Sequence, residues 1–508
     1  MEILKSPCDK EVQDSAIMTP WMLRAVYIYL ALPFVIFALG WMRLYISIPA
    51  VLIVGYGLYS IMRDTPAYPV PLRGRRTWIH WGVVLLIILL VTVFSGIGRL
   101  AYQNDDHIWR NAILEALCDY DWPIYETQEG GTVVSLVYYI GYWLPAALFG
   151  KLFGLTAGHV ALFLWTVLGL LLFYGIVSAY LRRYSVWVLL LFFAFSGLDI
   201  VIHLTNGYFE ALSGFKHLEW ARFTFQYSSF VTQLYWVFNQ ALPAWLFTVA
   251  ILLQKNNRHM VFLLGLMPLC SALPFIGLLP IAACMALTRR YAAAVGSPLS
   301  GKARFRAWLR DTFTLPNVLC GGTSGILSVL YLFSSSRVSG MSADGAAGFH
   351  LVWSEEYYGG DYNHFFWAYI SFVFFEFLIY WLLILAYQKK NRLFYVIGGT
   401  LLIVPLFAVG LGYDFCMRAS IPGLLVLFLL VADTLPRMIA DWKLPLLIPL
   451  LVCLLIGLRT PFNEVARSIA ETAQGNRDAG SFEIMKSTNE ENFVQPIENS
   501  FFFRYIAK

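Results

Sequence analysis

The chain has 508 residues, of which 59% are hydrophobic and 13% charged, and its mean hydropathy is +0.65. A soluble globule carries roughly 25% charge, so this composition excludes a water-soluble domain. The net charge of +5 comes from Lys and Arg gathered between apolar runs, and no nucleic acid is expected as a partner.

Many apolar runs are long enough to cross a bilayer. Alternating polar and apolar strands are absent, so the spans are read as helices. The seven Cys are mostly single and sit inside apolar runs; no CxxC or Cys/His metal spacing occurs. Residues 1–19 are polar and mixed in charge, unlike a cleavable signal peptide.

Residues 21–40 and 46–62 predict a first pair of spans. Arg63, Arg73, Arg75 and Arg76 follow, with Pro66, Pro69 and Pro71 among them, a basic loop expected in the cytoplasm. Residues 78–98 then cross and deliver a polar stretch to the far side. Asp105, Asp106, Glu115, Asp119, Asp121, Glu126 and Glu129 crowd there with Trp109 and Trp122. Carboxylates so near a membrane surface are costly unless solvated, paired or used. The plain structural reading is a solvated loop in which Asn104 or Asp105 caps a helix from His107 to Cys118.

Residues 133–155 are apolar and contain Tyr138, Tyr139, Tyr142, Trp143 and Lys151. These aromatics suit the headgroup zone, so an interfacial or re-entrant helix is expected rather than a crossing. Residues 158–181 and 185–204 form the next two spans, and residues 205–239 a second outer segment with Glu210, Lys216, His217, Glu219 and Arg222. Residues 240–254 return to Lys255 and Arg258, and 259–272 with 273–288 predict a short hairpin broken at Pro274. Lys302, Arg304, Arg306 and Arg310 are the strongest inside signal. After a span at 315–333, residues 334–366 make a third outer segment rich in Ser and Gly, with Glu355, Glu356, Asp361 and His364. Spans at 367–387, 393–411, 422–440 and 444–458 complete the pattern, with Asp414 and Arg418 in an outer turn.

The expectation is an all-α polytopic membrane protein of about thirteen transmembrane helices. Residues 1–458 form the membrane domain, and outer loops 99–157, 205–239 and 334–366 a small cap. Residues 459–508 are a short extracytoplasmic tail. The N-terminus is inside, the C-terminus outside, and every basic cluster lands inside. The absence of long soluble domains suits a bacterial cytoplasmic membrane.

An acidic pair after an outward span, Asn104-Asp105-Asp106-His107, precedes Tyr142-Trp143-Leu144-Pro145 through Lys151-Leu152-Phe153-Gly154. This arrangement resembles the GT-C glycosyltransferases, which include the protein O-mannosyltransferases and the aminoarabinose transferase of lipid A. The likeness covers mainly residues 78–205 and the span pattern. There are two departures. A hairpin precedes the span that leads to the acidic pair, and Val137-Tyr138-Tyr139 stands where the family often has Pro-Pro.

The resemblance implies an inverting glycosyltransferase. A sugar moves from a polyprenyl-phosphate donor, its tail among the membrane lipids, to a glycan, lipid or protein hydroxyl at the outer face. The family's essential first-loop Asp maps onto Asp105 or Asp106 as general base. Asp105 is preferred because it is nearer the membrane end of the preceding span. Two adjacent carboxylates shift one another's protonation, so one can act as base while the other binds substrate. Arg418 is the first candidate to hold the leaving phosphate; its plain reading is a pair with Asp414 on one helical face. Lys151, Lys216, Arg222 and Arg110 are secondary candidates for the phosphate, each with the plain reading of an interfacial snorkeller; His107, Tyr139, Glu355 and His364 are further substrate-binding candidates. No cofactor is expected, although some members of the group use a divalent metal. A metal on Asp105, Asp106 and His364 would require loops distant in sequence to meet.

Two other classes compete. A transporter or flippase is suggested by Glu376 inside a span. A polysaccharide polymerase or ligase would lean on the 334–366 loop, which has Arg337 as its one strong cation.

Overall fold

The computed structural model describes residues 16–18, 20–65, 68–70, 75–128, 131–219, 225–289, 300–335, 349–353, 362–409, 414–476 and 493–508. Among them, ten helices are long and apolar enough to cross a bilayer, or eleven if Gly301–Thr312 and Pro316–Leu332, bent by 52°, make one span. The protein is a polytopic helical membrane protein. Leu52, Leu86, Leu164, Trp187 and Leu455 on these helices are each more than half exposed. An apolar surface so extended is untenable in water and is what lipid tails accept.

The spans differ from the expected thirteen at identifiable places. Residues 259–288 do not form two crossings: Met260–Leu266 is only seven residues, and Pro268–Thr288 is one helix that carries Pro274 and Pro280. Proline is tolerated in such helices because neighbours satisfy the freed backbone groups. The expected span at 393–411 is the short helix Arg392–Leu406, after which Phe407–Val409 becomes a strand paired with Phe349–Leu351. The helix expected from residue 240 starts ten residues earlier, as Phe230–Leu252. Residues 133–155 hold no helix of crossing length. They contain the strand Val133–Leu136, a turn at Ile140–Tyr142 and the ten-residue helix Leu144–Phe153. Leu148, Phe149, Leu152 and Phe153 point outward from that helix, the pattern of an element lying along a membrane surface.

The core lies on Phe230–Leu252, the most enclosed of the spans, packed against Trp21–Trp41, Leu155–Leu181, Pro268–Thr288 and Ile421–Ala440. Twenty-three residues at 1.5 Å each make it about 35 Å long. Just past its far end, Gln254 bonds Tyr27 and Arg289. Close by, Arg258 pairs with Asp311 on the helix that bears Lys302, Arg304, Arg306 and Arg310. Its near end meets the acidic segment, so the acidic pair and the basic cluster occupy opposite ends of the bundle.

The near end is capped by small sheets and the tail. Tyr125–Thr127 pairs with Val133–Leu136, which pairs with Val494–Pro496. Helix Leu444–Gln474 runs 31 residues, past the expected domain limit at 458, and Thr472 accepts the Tyr102 amide at 2.8 Å. The tail residues that are described are thus woven into the cap.

Candidate functional site

The site grows from a flaw in the central helix. At Val237 the backbone leaves helical geometry (φ −132°, ψ 35°), which frees carbonyls that need new donors. The acidic segment supplies them. The Tyr235 carbonyl accepts from Asn104 Nδ2 at 2.9 Å and from His107 Nε2 at 3.1 Å. The Trp236 carbonyl faces Arg110 Nη2 at 3.5 Å. Gln103 Nε2 approaches His107 Nδ1 at 3.3 Å, so Nδ1 is the acceptor and the imidazole is neutral. Burial and the adjacent Arg110 charge push His107 down to about 4.

Asn104 and His107 are therefore fasteners of the bent helix. The predicted helix is present as Asp106–Asp119, but no side chain caps it: Asp105 is itself helical, and Asn104 is spent on Tyr235. Asp105 is exposed at the helix start. Asp106, one residue on, pairs with Arg110 at 2.8 Å.

Arg110 is nearly fully buried, and its Nη1 donates to the Tyr138 hydroxyl at 3.3 Å. Tyr138 and Tyr139 lie ring to ring at 3.8 Å. The Tyr139 hydroxyl accepts from Arg418 Nη1 at 2.9 Å, and that same nitrogen pairs with Asp414 at 2.9 Å. The plain reading of Arg418, a pair with Asp414, is met, and the same nitrogen also reaches Tyr139. A continuous polar chain runs Asp106, Arg110, Tyr138, Tyr139, Arg418, Asp414, joining segments some 300 residues apart. Arg110 senses the Arg418 charge, and Arg418 senses Asp106. Burial opposes the Arg418 charge, but Asp414 and the two tyrosines outweigh it and keep it protonated. Nε of Arg110 and Nε of Arg418 are buried with no partner.

Each cation is already paired with a carboxylate, Asp106 or Asp414, and its remaining N–H donors are of the type that binds phosphate oxygens. Phe493 of the tail packs on Tyr138 at 4.8 Å and on Trp109 at 5.9 Å, covering this chain from the cap side. Gly277 lets helix Pro268–Thr288 meet the Arg418 helix, since a Cβ there would stand 1.7 Å from the Ala419 carbonyl.

Not every expected residue joins. Lys151 donates to the Tyr120 carbonyl at 2.5 Å and sits 5.3 Å over the Trp122 ring. Tyr120 follows the C-terminal end of Asp106–Asp119, a 14-residue helix of about 20 Å. Lys151 is thus a helix-end cation, remote from Asp106 and Arg418. Glu355 lies outside the described residues, as does the side chain of His364, whose backbone belongs to helix Tyr362–Val373. Among the described residues no group of three or more His, Cys, Asp or Glu converges as a metal site.

Arg110 was undervalued in the sequence because its partners, Tyr138 and the Trp236 carbonyl, are remote in the chain. Asn239 and Gln240 were missed altogether. Both are fully enclosed just beyond the Val237 kink, with unpartnered amide atoms. Two adjacent amides inside an apolar run were the available signal.

Comparison with protein-family models, with curated proteins and with solved structures returns no match.

Proposed function

We propose that the protein is a membrane glycosyltransferase of the GT-C type. In this reading it moves a sugar from a polyprenyl-phosphate donor to an acceptor hydroxyl at the outer face of a bacterial cytoplasmic membrane, with its N-terminus inside and C-terminus outside. The observation that carries the reading is the buried pair Arg110 and Arg418, linked through Tyr138 and Tyr139 beside Asp105 and Asp106. The acceptor oxygen attacks the anomeric carbon from the face opposite the phosphate. The carbon–oxygen bond to the phosphate breaks, and the phosphate leaves with the electron pair on its lipid. Asp105, exposed and adjacent to the cluster, takes the hydroxyl proton. Asp106 holds Arg110, and the two guanidinium groups neutralise the departing phosphate.

The test is sugar transfer by the purified protein from polyprenyl-phosphate donors. Wild type is expected to transfer and Asp105→Asn to lose nearly all activity. Full activity in both Asp105→Asn and Asp106→Asn removes the mechanism. One observation favours a second reading, transport of a lipid-linked or small substrate: the buried acids Asp199 and Glu376 within spans. Flux into proteoliposomes that is abolished by Glu376→Gln and indifferent to Asp105→Asn selects it.

A further inference from the structure

Away from the arginine pair, the span Val186–Thr205 is broken. Val186–Ala194 and Asp199–Thr205 are helical, and residues 195–198 between them are unwound. Opposite the break, Phe374–Leu378 is a π-turn inside the span Phe365–Gln388. Broken helices and π-turns at membrane depth are tolerated where the irregular backbone is enclosed by protein, and they recur at functional sites.

Each irregularity presents a buried carboxyl. Asp199 and Glu376 are each 3% exposed. The Glu376 carboxylate lies against the break itself, since a Cβ on Gly197 would meet its Oε2 at 2.0 Å. Asp199 Oδ2 accepts from Thr460 at 2.8 Å and more weakly from Ser196 at 3.4 Å. Neither oxygen of Glu376 receives a hydrogen bond from an N–H or hydroxyl donor. Its polar neighbour is Asp199, a group that donates only when protonated. Among the described residues, no Lys, Arg or His forms an ion pair with either acid. At the same break, the Ser196 and Gly197 carbonyls and the Tyr380 hydroxyl all lie within about 3 Å of the Cβ position of Gly457.

Two enclosed carboxyls without a cationic partner need compensating positive charge. We infer that Asp199 and Glu376 hold one bound monovalent cation at the break, either a sodium-sized ion or a proton. The carboxyl, hydroxyl and carbonyl oxygens at the break suit a hard monovalent ion, and the contact between two carboxyls suits a shared proton. The groups facing the pair from neighbouring elements are Glu219 and His217 of the second outer segment, His203 on Asp199's own helix, and Tyr227, Tyr380 and Cys416. The inference does not depend on the sugar-transfer reading, because no residue of the arginine cluster takes part.

The test is thermal unfolding of the full-length protein in detergent at constant ionic strength, with choline replacing sodium. A ligand that binds only the folded state raises the unfolding midpoint and saturates. If the occupant is sodium, the wild-type midpoint rises by several degrees with sodium, and Glu376→Gln abolishes the rise. If it is a proton, sodium has no effect. The wild-type midpoint then falls between about pH 6 and about pH 9, because the folded state must give up its bound proton, and Glu376→Gln flattens that fall. In either case Glu376→Gln is at least as stable as wild type in choline at high pH, where the native pair carries uncompensated charge. Parallel responses of wild type and Glu376→Gln to both sodium and pH overturn the proposal. If Glu376→Gln does not fold, Asp199→Asn is read against the same outcomes.

Discussion

Arg418→Lys separates charge from geometry at the proposed anion site. In the wild type, Nη1 bonds both the Tyr139 hydroxyl and Asp414 at 2.9 Å, while Nε is buried without a partner. A lysine keeps the positive charge and has one nitrogen, so it can retain the existing contacts. It then has no second nitrogen for a phosphate oxygen. Losing one charge-assisted hydrogen bond costs about 1.5–3 kcal/mol, which corresponds to a roughly 10- to 150-fold fall in rate. The fold is expected to survive, with only a small shift in unfolding midpoint, because Asp414 still has a cationic partner. Arg418→Met removes that partner. Its penalty is moderated because the Asp414 side chain is 56% exposed and regains water. The assay is sugar transfer at saturating and at limiting donor, alongside thermal unfolding. Arg418→Lys that folds and transfers within about twofold of wild type refutes a two-nitrogen phosphate contact, since each decade of rate corresponds to about 1.4 kcal/mol.

Other outcomes follow from the same geometry. Asp105→Asn lowers transfer by about 10²- to 10⁴-fold with an unfolding midpoint near wild type, because Asp105 is exposed; equal losses of activity and stability argue against a base. His107 is held neutral well below its usual 6.5, at about 4, so the unfolded chain binds the extra proton over that interval. Stability is present above about pH 6.5 and is lost as pH falls towards 4, by about 3 kcal/mol in full. His107→Gln flattens this acid limb in a chemical denaturation series, and an unchanged limb rules His107 out as its source. Gly277→Ala places a methyl 1.7 Å from the Ala419 carbonyl and is expected to cost about 1–3 kcal/mol by overpacking. It should also depress transfer by moving the Arg418 helix, and wild-type activity in this variant contradicts that coupling.

The helical, membrane-spanning character could be read from hydropathy, because lipid imposes one rule on every span. Residues 133–155 hold no crossing helix, as expected, yet the aromatics behind that expectation are not at a surface: Tyr138, Tyr142 and Trp143 are packed inside the protein. The Arg418–Asp414 pair followed from its four-residue spacing. What stayed hidden depends on contacts between distant segments. The helix break at Val237 has no proline or glycine at the break itself, and the donors Asn104, His107 and Arg110 that meet its carbonyls lie more than 100 residues away. Pro274 suggested a turn, yet Pro268–Thr288 remains one helix with its kink at Ser271, whose hydroxyl donates to the Gln240 carbonyl at 2.7 Å. Val494–Pro496 is too short to announce itself as a strand, and it pairs with Val133–Leu136 across the whole chain. Asp199 does not stand out within the span 185–204, because its partner Glu376 lies far along the sequence.

The most direct measurement is the affinity of the purified protein for a short-chain polyprenyl phosphate, compared with the corresponding neutral alcohol. The structure predicts that the phosphate binds more tightly than the alcohol. Arg110→Met and Arg418→Met should each weaken phosphate binding by about tenfold or more while leaving the alcohol unaffected. Equal affinity of wild type and both variants for the phosphate would contradict an anion site built from these two arginines.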